Sequence, residues 1–260
     1  MMLLLAIETE LLKLRRTKIT WILTLMYGIG PLMMSLMMTI VRNPKLAAEM
    51  GLVAKKAELT IGSADWPSYL AYTAIMFMIG IVVIGVTQAF VFGREYAEGT
   101  AKNMLTLPIG RATIVAAKIV VASLWYLAMA IIVYVEAILL GFLMDLPGYD
   151  AGLLRANVVL VGRIVGEVIL VGSLSGWIAV LGRGYLAPVG LTILFLLLGD
   201  LFAHTGWGPW VPWSIVLLTS GAGGAGAPVP GPASTIVLGA FFIVCGLCTY
   251  LSLDRSDNTQ

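Results

Sequence analysis

Six apolar runs, each long enough to cross a lipid bilayer as a helix, restrict this chain to one kind of fold. At a rise of 1.5 Å per residue, about 20 apolar residues are needed to cover a hydrocarbon core of about 30 Å. The runs are Ile19 to Val41, Tyr69 to Phe92, Ala112 to Met144, Ala156 to Leu181, Tyr185 to Ala203 and Ser234 to Leu253. Lipid offers no hydrogen bonds to a bare backbone, so each run must bond within itself as a helix. The expected fold is an all-α integral membrane protein with six transmembrane helices, residues 1–260 forming a single transmembrane domain. Charged residues make up only 12% of the chain, about half the share in soluble domains. No polar stretch is long enough to fold beside the membrane part.

An even number of spans puts both termini on one side. With those termini in the cytoplasm, ten basic residues lie inside and five outside, and Arg163 falls within a span. The positive-inside rule favours this orientation, although Arg42, Lys45, Lys55 and Lys56 fall in the first outer loop, and the expected location is the cytoplasmic membrane with both termini inside. Residues 1–18 lack the basic start of a signal peptide and read as retained. Leu4, Ile7, Leu11 and Leu14 recur there at helical spacing, with Glu8, Lys13, Arg15 and Arg16 on other faces. An amphipathic helix in the inner interface is expected before the chain turns into the bilayer. Between spans 5 and 6, residues 204–233 carry Pro209, Pro212, Pro228, Pro230 and Pro232, which rule out one continuous helix. The short apolar "WSIVLLT" fits a re-entrant segment on the outer side, with Trp207, Trp210 and Trp213 at headgroup depth.

Several chemistries are excluded or outweighed. No G-x-x-x-x-G-K-[ST] sequence occurs, so the chain holds no nucleotide through a P-loop. Gly221, Gly223 and Gly226 match GxGxxG, but they follow no strand and open no helix. Cys245 and Cys248 form a CxxC inside the last apolar run, where thiolate access is poor and further metal ligands are missing, so both read as packing residues and no metal site is expected. The basic residues form no stripe that would fit nucleic acid. Ser173 and Ser175 in "GSLSG" would need a base for intramembrane proteolysis, and the single histidine, His204, lies at the outer end of span 5. The spacings Gly162-x-x-x-Gly166 and Gly172-x-x-x-Gly176 favour close helix packing instead.

Charges within the spans are costly in lipid and should face protein, water or a partner. They are Glu136 in span 3, Arg163 and Glu167 in span 4, and Asp200 near the outer end of span 5. Arg163 and Glu167 are four apart and can pair on one helix face. Glu136 and Arg163 both fall in the outer half by residue count, which allows them to meet. They line a translocation path or form a structural ion pair.

The densest charge lies in "REYAEGTAKNMLTLPIGR", Arg94 to Arg111, between spans 2 and 3. Glu98 and Lys102 stand four apart in the favourable acid-first order, and Pro108 ends any helix nearby. The expectation is a short helix from Tyr96 to Thr106 in a loop spanning residues 93–111, bracketed by Gly93 and by Pro108-Ile109-Gly110. Glu95, Glu98, Lys102 and Asn103 should be exposed, with Met104, Leu105 and Leu107 as apolar anchors. Such a helix suits a groove on a partner.

Two stretches resemble the membrane subunits of type-2 ABC exporters, and among them the bacitracin-export and lantibiotic-immunity permeases. "ETELLKLRRTKITWIL" is similar to the family's N-terminal elbow. "REYAEGTAKNMLTLPIGRATIVAAK" is similar to its first cytoplasmic loop, through Glu95, Tyr96, Gly99, Thr100, Leu105, Pro108, Arg111 and Lys118. "PWSI" at Pro212 to Ile215 is a further match, in the loop before the last span. The resemblance implies two copies of this chain with two cytoplasmic ATPase subunits. ATP and magnesium would be bound by those partners, and Arg94 to Arg111 would act as the coupling helix. The expected function is a non-enzymatic permease that exports a hydrophobic or amphipathic solute, such as a peptide antibiotic, lipid or drug. The alternative is an ion- or proton-coupled secondary transporter using Glu136, Arg163 and Glu167.

Overall fold

The computed structural model describes residues 2–52, 55, 63–101, 109–224 and 226–255, and the regular elements among them are all helical. The first helix, α1 (Met2–Arg15), leads into α2 (Lys18–Arg42), which forms span 1. A short α3 (Pro44–Met50) follows. Span 2 is built from α4 (Trp66–Phe77) and α5 (Gly80–Ala97), span 3 is α6 (Arg111–Leu143), and span 4 is α7 (Ala151–Leu181). Span 5 is α8 (Leu186–Ala203), and span 6 is α10 (Pro232–Arg255) after a buried nine-residue α9 (Pro212–Ser220). Six segments are thus long and apolar enough to cross a membrane. Below, the end of the bundle that carries α1 is called the lower end.

Local chemistry sets several boundaries. The Asp65 carboxylate accepts from the Ser68 amide at 2.8 Å and so caps α4, with Pro67 in the first turn, where its missing N–H costs nothing. Asp150 caps α7 through the Gly152 and Leu153 amides at 3.1 and 3.3 Å. The break within span 2 has no proline. The Met78 and Ile79 amides bond three residues back, to Ile75 and Met76 at 3.2 and 3.1 Å, a tight 3₁₀ step of the kind found at hinges. Just below it, a Cβ on Gly80 would lie 1.9 Å from the Tyr126 hydroxyl, so only glycine allows spans 2 and 3 to approach this closely.

Apolar burial cannot drive helix association against lipid tails, so close packing must supply it. The central core joins Tyr27 of α2, Phe77 and Ile84 of span 2, Tyr126 of α6, Ile164 and Val168 of α7, Ile215 and Leu217 of α9, and Leu238 of α10. At the upper end Trp66 makes edge contacts with Tyr69, Phe142 and Tyr149, with ring centroids 4.9 to 6.0 Å apart. Asn157 ties spans there: its amide donates to the Leu70 carbonyl at 2.9 Å and its oxygen accepts from Tyr134 at 2.9 Å.

The packing of the helices refines or corrects several sequence expectations. In α1 the residues buried against the bundle are Glu10 and Leu14, with Ile7 packed beside them, and Leu4 and Leu11 stay exposed. Span 2 runs through Gly93 to Ala97, so the residue expected to break the helix is instead a contact point: a Cβ there would lie 2.6 Å from the Gly184 carbonyl carbon. Trp213 stacks on Phe195 at 4.4 Å and meets Phe241 edge-on at 5.4 Å, so it lies between spans 5 and 6, whereas Trp207 and Trp210 are exposed. Of the two glycine pairs, Gly172 and Gly176 face span 2 with Ile84 and Phe92 within 3.0 Å of an added Cβ, but Gly162 and Gly166 face open space.

Candidate functional site

Where α1 meets the lower ends of spans 2 and 3, four charged side chains form a closed cluster. Lys13 bonds Glu10 at 2.6 Å and Glu95 at 3.0 Å. Lys118 reaches the other oxygens of the same two carboxylates at 3.3 and 3.0 Å and donates to the Val91 carbonyl at 2.7 Å. Glu10, Glu95 and Lys118 are only 9%, 4% and 2% exposed. Two acids and two bases leave the cluster neutral, so buried charge is matched within one ring of contacts. Burial acts to lower the pKa of Lys13, but the hydrogen bond and charge of Glu10, then of Glu95, outweigh it and hold the pKa above its ordinary value. Lys13 therefore stays charged at neutral pH. The Lys118 ammonium also stands over the Phe92 ring, 5.8 Å from its centre.

The sequence expectation for Glu95 is corrected here: it points inward to both lysines and is not exposed. The helical period explains this. Glu95 follows Val91 and Phe92 by four and three residues and so shares their inward face. Arg94 and Glu98 occupy the other side, 3.9 Å apart, with the Arg94 guanidinium over Phe90. Gly99 then adopts the left-handed conformation at φ 69° and ends the helix. Its amide bonds the Tyr96 carbonyl at 3.2 Å, and the Thr100 amide bonds Glu95 at 2.9 Å. Tyr96 thus lies within span 2 and does not begin a separate helix, and its ring packs on the lower apolar cluster. Lys102, Asn103, Leu105 and Pro108 lie outside the described residues. Arg111 turns to the other side and donates to the carbonyls of Leu253 and Asp254 at the end of α10. A groove of about 530 Å³ opens beside the cluster, with Leu5, Thr9, Arg94, Glu98, Thr100 and Ile114 among its walls.

Of the charges within the spans, Arg163 and Glu167 pair, as their spacing of four allows. Arg163 Nε donates to Glu167 at 2.8 Å. Glu136 lies instead against α2, where a Cβ on Gly28 would be 2.9 Å from its Oε2, and among the described residues it has no ion pair. Residue count placed Glu136 and Arg163 at similar depth but could not give the direction each faces around its helix. Asp200 is exposed on α8. The Ser175 hydroxyl lies 2.9 Å from Thr192 Oγ1. His204 stands twelve residues further along that chain, about 18 Å up the helix, so no serine–histidine pair forms.

The family model for ABC-2 family transporter proteins matches residues 6–199. The chain belongs to this family. It is 27% identical over 175 residues to the bacitracin transport permease protein BCRB of Bacillus licheniformis, covering 66% of this chain and 82% of that protein. The ABC-2 chain is accordingly a membrane subunit of an ABC transporter and a multi-pass membrane protein. The matched region contains all four members of the charge cluster. Sequence reasoning named Glu95 and Lys118 through the loop resemblance but gave no role to Glu10 and Lys13 as a pair. Their spacing of three was the available signal, since it places acid and base on one face of α1.

Proposed function

We propose that this ABC-2 permease works as two copies driven by two cytoplasmic ATPase subunits, which bind ATP and magnesium. In this reading the lower end of the bundle is cytoplasmic, and the segment from Arg94 to Arg111 receives the ATPase's movement. The observation that carries the reading is the four-charge cluster, because it joins α1 to spans 2 and 3 directly beside the exposed turn at Glu98 to Thr100. A push on that turn is passed to three elements at once. The exposed Leu4, Leu5, Leu11 and Leu12 fit an α1 that lies in the inner interface as an elbow. The short α9, packed among spans 2, 4, 5 and 6, acts as a re-entrant seal on the outer side. The solute is hydrophobic or amphipathic and leaves the cell. ATP-driven closure of the partners changes the contacts made with the turn, and only such a difference can shift the permease between states.

The competing secondary-transport reading needs Glu136, Arg163 and Glu167 as one relay; among the described residues Glu136 makes no ion pair, and its carboxylate lies beside Gly28 of α2. The test is capture of the neighbouring P-loop ATPase by the tagged permease. Exchanging Arg94→Glu and Glu98→Arg keeps their mutual attraction but reverses the pattern offered to the partner. Capture is expected to fall about tenfold, whereas Arg155→Glu at the opposite end leaves it unchanged. Undiminished capture, or pH-driven transport by the permease alone in liposomes, overturns the reading.

A further inference from the structure

The cavity beside Arg163 is not used by the coupling mechanism, and its chemistry points to a ligand. It has a volume of about 450 Å³ and is lined by Arg163, Pro230, Gly231, Pro232, Thr235 and Ile236. Its depth follows from the neighbouring elements. Span 5 has eighteen residues, about 27 Å at 1.5 Å per residue, so its upper end reaches the edge of a hydrocarbon core of about 30 Å. The exposed Trp207 and Trp210 follow that end, and the carbonyl of Pro209 between them accepts from Ser234 at 2.8 Å. The start of α10 and the cavity that it borders therefore lie at headgroup level.

Arg163 is 44% exposed at its side chain, although it sits on a membrane span. Its Nε edge is occupied by Glu167, which is itself buried. The Nη1 and Nη2 atoms donate to no group among the described residues. A guanidinium is a planar fork suited to oxyanions, and phosphate oxyanions are present at headgroup level. Thr235 also lines the cavity, and the exposed Ile236 side chain offers an apolar surface below the head of an amphiphile.

We propose that this cavity binds a phosphate group, held by the free edge of Arg163 with Thr235 beside it. The phosphate belongs to a lipid headgroup of the leaflet at the upper end or to a free phosphate ion. The proposal stands independently of the ATPase reading. It is tested on the full permease in nanodiscs of equal phosphatidylglycerol and phosphatidylcholine by counting the lipids retained in native mass spectrometry. The wild type is expected to retain phosphatidylglycerol preferentially, and Arg163→Gln to reduce that retention about tenfold. Arg163→Lys keeps part of it, Arg155→Gln keeps all of it, and Glu167→Gln raises it by freeing the other edge. Inorganic phosphate is tested separately on detergent-purified protein. Arg163-dependent thermal stabilisation by the ion assigns the site to free phosphate, and lipid retention without it assigns the site to the headgroup. Equal retention by wild type and Arg163→Gln, or lower retention in Glu167→Gln, overturns the proposal.

Discussion

Replacing Lys118 with Met is expected to destabilise the permease by about 3–5 kcal/mol, the cost of breaking a buried ion pair by removing one partner. Lys118 donates to the Glu10 carboxylate and to the Val91 carbonyl, and pairs with Glu95 at 3.0 Å. Without it, Glu10 and Glu95 are left buried with Lys13 as their shared base, and the cluster carries a net negative charge. Methionine fills the volume, so the loss reports charge and hydrogen bonding more than packing. The midpoint of thermal unfolding in detergent measures it. The double variant Lys118→Met with Glu95→Gln restores neutrality and should lose less than Lys118→Met alone, an interaction that a double-mutant cycle isolates. A wild-type midpoint for Lys118→Met would show that the cluster does not hold α1 to the spans. In the assembled transporter the same variant should also lower solute-stimulated ATP hydrolysis.

Gly93→Ala is the second large effect. Alanine is favoured over glycine inside a helix by about 1 kcal/mol, so propensity alone predicts a gain. The added Cβ, however, would lie 2.6 Å from the Gly184 carbonyl carbon, 2.7 Å from its oxygen and 2.8 Å from the Tyr185 amide nitrogen. These are backbone atoms and cannot rotate away. Overpacking typically costs about 1–3 kcal/mol and more where the backbone must shift, so a net loss of about 2 kcal/mol is expected in the same unfolding measurement. Gly162→Ala and Gly166→Ala meet nothing within 4 Å and should be neutral or slightly stabilising. If all three variants behave alike, close approach of span 2 to the turn before span 5 does not govern stability.

These glycines also show what the sequence could and could not reveal. Gly162-x-x-x-Gly166 and Gly172-x-x-x-Gly176 share a spacing and a helix, yet only the second pair meets a neighbour. Spacing gives a face, and which face the fold covers depends on elements far away in the chain. The spans themselves were legible because length and apolarity act locally. The caps at Asp65 and Asp150 carry a local signal too, an acid before the first helical turn, although no cap was read from the sequence. The four-charge cluster was half legible. Its members span residues 10 to 118, and no periodicity within one segment shows that α1 folds back onto spans 2 and 3. Glu95 looked exposed because its neighbours are charged, whereas the side of the helix it occupies is decided by Val91 and Phe92.

The 3₁₀ step at Met78 and Ile79 divides span 2 into parts with different anchors. Above it, α4 is held by the Trp66 aromatic contacts and by Asn157. Below it, the eighteen residues of α5 end at the charge cluster, forming an arm of about 27 Å. A swing of about 10° at that pivot carries the lower tip through about 5 Å while the upper anchor stays in place. In the proposed coupling, leverage of this kind would turn a small rotation at the step into a stroke about as long as one helical turn at the lower end, and α1, ion-paired to the tip, would travel with it.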